Sequence, residues 1–249
     1  CHSYGQTIEN KGYGIVGGIS DTGNVTASGC TVKQGANIQS SLENTGGVTD
    51  QPGYFSNYGN VRDFLSNFTE TTSDDITTLT LNQDINFDSE FSNCSGFYIT
   101  LEANMVLDGS NYTIDYGDYT DLSGIVEMSS NVTSDADAPT VQNLNIDGGE
   151  LAAGGGFVVR SGTQYMIVDN CTSTGEINGK WAGGIVGYNV GAGTGDEGDE
   201  GGKCYISACT STGYINGNWA GGIVGGKAGE YGECTVSYCS STGDISGEE

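Results

Sequence analysis

Four cysteines carry the most regular chemistry in this chain. Cys204 and Cys209 stand five residues apart, as do Cys234 and Cys239, and corresponding members lie 30 residues apart. Met166 and Cys171 fit the same two slots, with the first cysteine replaced. Such a pair can close a disulfide across a turn within one repeat, or each member can bridge to its equivalent in the next repeat. Strand neighbours at about 4.8 Å fall within the Cα range of a disulfide, so geometry alone leaves both layouts open. We favour Cys204–Cys209 and Cys234–Cys239; buried free thiols packed as small apolar groups are the alternative. The eight cysteines include no Cys-x-x-Cys pair and accompany one histidine, which argues against zinc and against dithiol redox catalysis.

Oxygen ligands come next. Asp196, Glu197, Asp199 and Glu200 crowd the stretch between Gly195 and Gly202. Four carboxylates in five residues are a candidate Ca2+ site, although the pattern is not that of an EF-hand loop, and a solvated loop is the competing reading. Asp84 and Asp108 could share a groove, as the carboxylates of polysaccharide-degrading enzymes do. Arg160, Lys180, Lys203 and Lys227 are the basic residues near the repeats, and no motif ties them to those carboxylates. His2 stands alone near the start. No enzyme activity and no catalytic residue are expected. Trp181 and Trp219 could stack on sugar rings, but their equivalent placement favours a structural ladder.

The chain has 249 residues with 7 Lys and Arg against 32 Asp and Glu, a net charge of −25. Phosphate recognition needs basic clusters, so nucleic acid is not an expected partner. No run of about 20 apolar residues offers a membrane span. Six Asn-x-Ser/Thr sequons occur, at Asn24, Asn67, Asn93, Asn111, Asn131 and Asn170. With the even cysteine count they point to an extracellular, oxidising setting and to N-linked glycans.

These residues sit in a repeat. Residues 171–187 read CTSTGEINGKWAGGIVG and residues 209–225 read CTSTGYINGNWAGGIVG, while a third unit opens with CSSTGDISG at Cys239. Aligned on Gly124-Ile-Val, Gly156-Phe-Val, Gly184-Ile-Val and Gly222-Ile-Val, the units lie 32, 28 and 38 residues apart. Constant strands with variable loops follow from that spacing. Strands are expected at Met166–Val168, Cys204–Ile206 and Cys234–Val236, and again around Ile177, Ile215 and Ile245 after a Ser-Thr-Gly turn. Gly counts 43 and Pro 2, and the units are β-branched and poor in helix formers, which disfavours a helical-hairpin repeat. The expected fold is an all-β parallel β-helix, or β-solenoid, with coils of about 30 residues. Less regular coils are expected over 76–153, with strands at 76–81, 97–101, 105–107, 112–114 and 141–146. Residues 33–75 read as a loop-rich insertion with a short helix near 60–67, and residues 1–32 as a repeat-like segment.

Residues 154–249 resemble the GLUG-motif repeats of secreted and cell-surface proteins. The likeness rests on Gly183-Gly-Ile-Val-Gly-Tyr-Asn189 and Cys209-Thr-Ser-Thr-Gly-Tyr-Ile215, with Leu81-Asn-Gln-Asp-Ile-Asn-Phe87 and Leu107-Asp-Gly-Ser-Asn-Tyr-Thr-Ile114 resembling strands that precede such repeats. The resemblance implies an adhesin-like or structural surface protein, and it brings no catalytic residue.

At the other end, Cys1-His-Ser-Tyr-Gly and Gly14-Ile-Val-Gly-Gly fit the phrases at Cys209 and Gly222. The last unit stops where the next Gly-Gly-Ile-Val would begin. We expect the N-terminal unit of one copy to dock on the C-terminal coil of another, a head-to-tail contact that builds an open filament. A fragment of a longer repeat protein, or residues 1–32 as the first coil of their own solenoid, would explain the same pattern. The functional expectation is a glycosylated extracellular filament protomer, with a carbohydrate- or protein-binding adhesin second and a polysaccharide-acting enzyme third.

Overall fold

The computed structural model describes residues 67–87, 98–129, 132–162, 164–193, 196 and 201–246, together with His2–Ser3 and Thr31–Val32. The chain divides into two units, Cys1–Ser66 and Asn67–Glu249. In the first, β1 (His2–Ser3) pairs in parallel with β2 (Thr31–Val32). Of the insertion expected over 33–75, residues 33–66 lie outside the described residues, as do the Gly14–Gly18 phrase and all of the short helix expected near 60–67 but Asn67.

The second unit is an all-β parallel β-solenoid of about five turns, with coils of about 30 residues. One sheet stacks β4 (Ile76–Leu81), β7 (Met105–Asp108), β10 (Thr140–Gln142), β12 (Tyr165–Asp169), β14 (Lys203–Ser207) and β16 (Glu233–Ser237), each parallel to the next. A second stacks β5 (Ile85–Asn86), β8 (Thr113–Asp115), β11 (Asn145–Asp147), β13 (Thr172–Ser173), β15 (Thr210–Ser211) and β17 (Ser240–Ser241). A third face begins with β6 (Ile99–Leu101) beside β9 (Val126–Met128) and continues as single bridges through Val159, Val186 and Val224.

The sequence makes these strands by alternation. In β12 and β14 every second residue is buried, so Met166 and Val168, then Cys204 and Ile206, point inward. Register places Leu107 on Val141, Val141 on Val168, Val168 on Ile206 and Ile206 on Val236. The core is therefore a set of vertical ladders. Large residues fill its earlier coils, where the rings of Phe87 and Tyr116 stack at 4.8 Å. Later coils use small residues, and Ser173 and Ser211 sit buried with no hydrogen-bond partner for their hydroxyls.

The corner after the first strand turns through one left-handed residue: Asn143, Asn170, Ala208 and Tyr238 have φ of 54°, 51°, 53° and 55°. Each of the first three donates its N–H to the next coil, to Asp169 O, Ser207 O and Ser237 O. Asparagine tolerates this conformation; alanine and tyrosine do so at a cost. The second turn is controlled by space. A methyl group at Gly213 would land on the carbonyl oxygen of Gly175, and one at Gly243 on that of Gly213. Only glycine lets these backbones stack.

Four features differ from the sequence expectations. Residues 141–146 form two strands, because Asn143 turns the corner between them. A short strand precedes the Ser-Thr-Gly turn in each late coil, while Ile177, Ile215 and Ile245 pair only as single bridges. The core phrase shifts by one: Val159, not Val158, lies beside Val186, with Gly156 beside Gly183. Phe157 thereby takes the slot of Gly184, its ring lying against Gly175. Finally, β3 (Phe68–Ser73) runs antiparallel to β4, so residues 67–75 belong to the solenoid unit rather than to the insertion.

Two substitutions test the corner and turn. Ala208→Asn is expected to raise stability by about 0.5–1 kcal/mol, because the residue is exposed and already left-handed. Gly213→Ala is expected to lower stability by about 3 kcal/mol, because two backbones must part. Chemical denaturation of both variants checks the opposite signs.

Candidate functional site

The end of the solenoid formed by β16 and β17 is chemically unlike its other end. At the first-sheet edge beside β4, β3 presents Phe-Thr-Glu-Thr-Thr-Ser and is largely exposed and polar. Polar edge strands resist further pairing. At the opposite edge, β16 and β17 pair on one side only among the described residues. Here the ladder positions that are closed elsewhere lie open. Ile206 and Ile215 are 1% and 3% exposed, whereas Val236 and Ile245, one coil on, are 46% and 77% exposed. Tyr231 and Tyr238 add exposed rings to the same coil. Among the described residues this edge combines one-sided strand pairing with exposed apolar side chains.

A second exposed feature lies at the Lys180–Trp181 corner. Trp181 and Trp219 have φ of 63° and 56°, a conformation that bulky residues rarely adopt. Their rings stack at 5.6 Å, and Tyr188 stacks on Trp181 at 5.3 Å. Lys180 Nζ lies 4.3 Å from the Trp181 ring centre and 4.8 Å from that of Trp219. The ladder expected from the repeated Trp is present, and Trp219 remains 64% exposed. The bridging role of Lys180 was not legible, because the next repeat has Asn218 in its place.

The thiols of all five described cysteines are free. The favoured bridges Cys204–Cys209 and Cys234–Cys239 are not formed. The left-handed corners Ala208 and Tyr238 separate each pair onto two different ladders, and register sets Cys204 beside Cys234. Cys209 lies instead between Cys171 and Cys239: the Cys171 N–H approaches Cys209 Sγ at 3.5 Å, and the Cys209 N–H approaches Cys239 Sγ at 3.4 Å.

The carboxylates proposed for a groove serve separate turns. Asp84 accepts from the Thr113 N–H at 2.8 Å. Asp108 accepts from the Ser110 N–H at 2.8 Å, Gln142 Nε2 at 3.0 Å and Asn143 Nδ2 at 3.2 Å. Burial pushes the Asp108 carboxyl up, but these three donors outweigh it and hold it below its ordinary value. The basic residues are also engaged. Arg160 lies over the Tyr98 ring at 4.1 Å, Lys203 is 3.9 Å from Asp135, and Lys227 grips both Glu230 oxygens at 3.1 and 3.0 Å.

Of the acidic loop, Asp196 is exposed, and Glu197, Asp199 and Glu200 lie outside the described residues. Among the described residues, no three His, Cys, Asp or Glu side chains cluster as metal ligands. Three sequons are described. Asn111 and Asn170 are exposed at left-handed corners, and Asn170 Nδ2 donates to Asn143 Oδ1 at 2.8 Å. Asn67 is buried, its Oδ1 accepting from Gln83 at 2.5 Å. Asn24, Asn93 and Asn131 lie outside the described residues.

Asp108 gives a signed pH prediction. Its folded-state carboxyl is lowered, so its stabilisation is present above the unfolded value of about 3.9 and is lost as pH falls through the lower folded value. Asp108→Asn is expected to be less stable than the parent at neutral pH and to lose less stability on acidification. Denaturant titrations at several pH values measure both slopes. No known protein family, no curated protein and no solved structure matches the chain.

Proposed function

We propose that the protein is an extracellular structural protomer that assembles head to tail into a surface filament. The observation that carries this reading is the last described coil: Val236 and Ile245 occupy the core ladders of Ile206 and Ile215 yet are exposed. Burying an apolar side chain of this size is worth about 1.5–3 kcal/mol, and a matching coil would also satisfy the backbone groups of β16 and β17. A neighbour that fits this edge would have the chemistry of the repeat itself. Residues 1–32 contain that phrase, Gly14-Ile-Val-Gly-Gly18, and their β1 and β2 pair in parallel at one coil's distance along the chain. The polar β3 at the other edge disfavours simple coil-on-coil stacking there, which favours the N-terminal segment of a second copy as the donor. Heterologous contacts of this kind do not close and therefore extend.

The likeness of residues 154–249 to GLUG-motif repeats supports a surface location, as do the sequons. Exposed Asn111 and Asn170 are the candidate glycan carriers with described surroundings. A net charge of −25 suits a protein that stays soluble until a specific contact forms.

A second reading has its own observation. The exposed Trp219, stacked on Trp181 beside Lys180, offers a flat apolar face with a cation at its edge, which suits a sugar ring carrying a carboxylate. In this reading the protein is an adhesin.

Electron microscopy and sedimentation of the glycosylated chain separate the two. Filament assembly predicts ordered fibres whose formation is blocked by Ile245→Asp and by deletion of residues 1–32. Monomers alone at every concentration would overturn it. The adhesin reading predicts glycan-array binding that is lost in Trp219→Ala.

A further inference from the structure

Every described cysteine lies on one of two ladders; neighbouring thiols hydrogen-bond in both, and the first ladder adds a backbone acceptor for each thiol. In the first, each thiol donates to the carbonyl two residues back: Cys171 to Asp169 O at 3.4 Å, Cys209 to Ser207 O at 3.1 Å, and Cys239 to Ser237 O at 3.2 Å. The same rotamer thus recurs on three coils, and each hydrogen has an acceptor. The second ladder has two rungs. Cys204 and Cys234 are register partners in parallel strands, and each thiol has the other as its hydrogen-bonding neighbour. Met166 occupies the slot before Cys204, so the pair has no third member.

We propose that Cys204 and Cys234 oxidise to a disulfide that staples the β14 coil to the β16 coil, while Cys171, Cys209 and Cys239 remain thiols. Parallel neighbours in register lie within the Cα range of a disulfide, and both side chains project from the same face of the sheet. The roles of the two sulfurs follow from their surroundings. Cys204 is fully buried, while Cys234 is half-buried on the open coil. The hydrogen bond from Cys204 holds the Cys234 thiol below its ordinary value, against the opposing effect of burial. Cys234 is therefore the attacking thiolate.

The oxidant is a small-molecule disulfide. Cys234 gives up its proton and attacks one sulfur of that disulfide, forming a mixed disulfide and releasing one thiol. Cys204 then loses its proton and attacks the Cys234 sulfur, releasing the second thiol. Two protein thiols are oxidised, one external disulfide is reduced to two thiols, and both protons end on the leaving groups. The step does not depend on filament formation.

Peptide mapping of the full chain tests the pairing. The folded protein is equilibrated with oxidised glutathione, unfolded in the presence of an alkylating agent, and digested without reduction. The expected product is a linked peptide pair containing Cys204 and Cys234, with Cys171, Cys209 and Cys239 alkylated. Recovery of Cys204 and Cys234 both alkylated, or linked to any other cysteine, would overturn the proposal. Melting provides a second readout: the oxidised parent is expected to melt higher than the reduced form, because a loop of about 30 residues is closed in the unfolded chain. Cys234→Ser is expected to melt identically with and without reductant. A Cys234→Ser variant that still gains stability on oxidation would place the bridge elsewhere.

Discussion

The structure depends on one constraint: each coil satisfies its backbone by hydrogen-bonding to the coil before and the coil after it. The bonds run from strand to strand and also through the turns, as from Trp181 N–H to Asn218 O and from Ile177 N–H to Tyr214 O. A strand shifted by one residue would reverse every side chain in it. Register is therefore strict, and equivalent positions must accept equivalent residues. That is why Ile177 lies beside Ile215, Val159 beside Val186 and Gly183 beside Gly221. It is also why glycine recurs at Gly175, Gly213 and Gly243, where backbones approach too closely for a Cβ.

The same constraint shapes the last described coil. In a globular core a terminal element can bury its apolar face by folding back. A coil in a solenoid cannot, because its inward residues face along the stack as well as across it. The coil carrying Val236 and Ile245 therefore presents a cross-section of the core itself. At the opposite edge the antiparallel β3 replaces that cross-section on one sheet with threonines and a glutamate. The two edges of the described stack thus differ in chemistry, polar along β3 and partly apolar at Val236 and Ile245.

Much of the fold is legible in the residues because the ladder repeats them. Cys204-Tyr-Ile and Cys234-Thr-Val read as strands since alternation and turn signals agree. Legibility fails where one-dimensional spacing admits two three-dimensional answers. Val141-Gln-Asn-Leu-Asn-Ile alternates well enough to pass for one strand, and only the left-handed φ of Asn143 breaks it. Gly-Phe-Val-Val offers two valines to align, and the ring of Phe157 decides between them. The five-residue spacing of the cysteines fits a bridge within a coil or between coils equally well. The corner at Ala208 resolves it, since it puts Cys204 and Cys209 on separate columns. The Lys180 cation depends on what lies across the coil, and no local pattern encodes it.

Strand register in this protein is independent of the length of chain between strands. Strand β12 meets β14 across the longest interval in the late repeats, the one that contains the acidic stretch at 196–200, yet the two pair over five residues with no slip. The shorter path from β14 to β16 gives the same five pairs. Perimeter and axis are thus decoupled. The long interval between β12 and β14 is therefore a natural place to graft foreign peptides, since a change of its length leaves the pairing of the two strands in register.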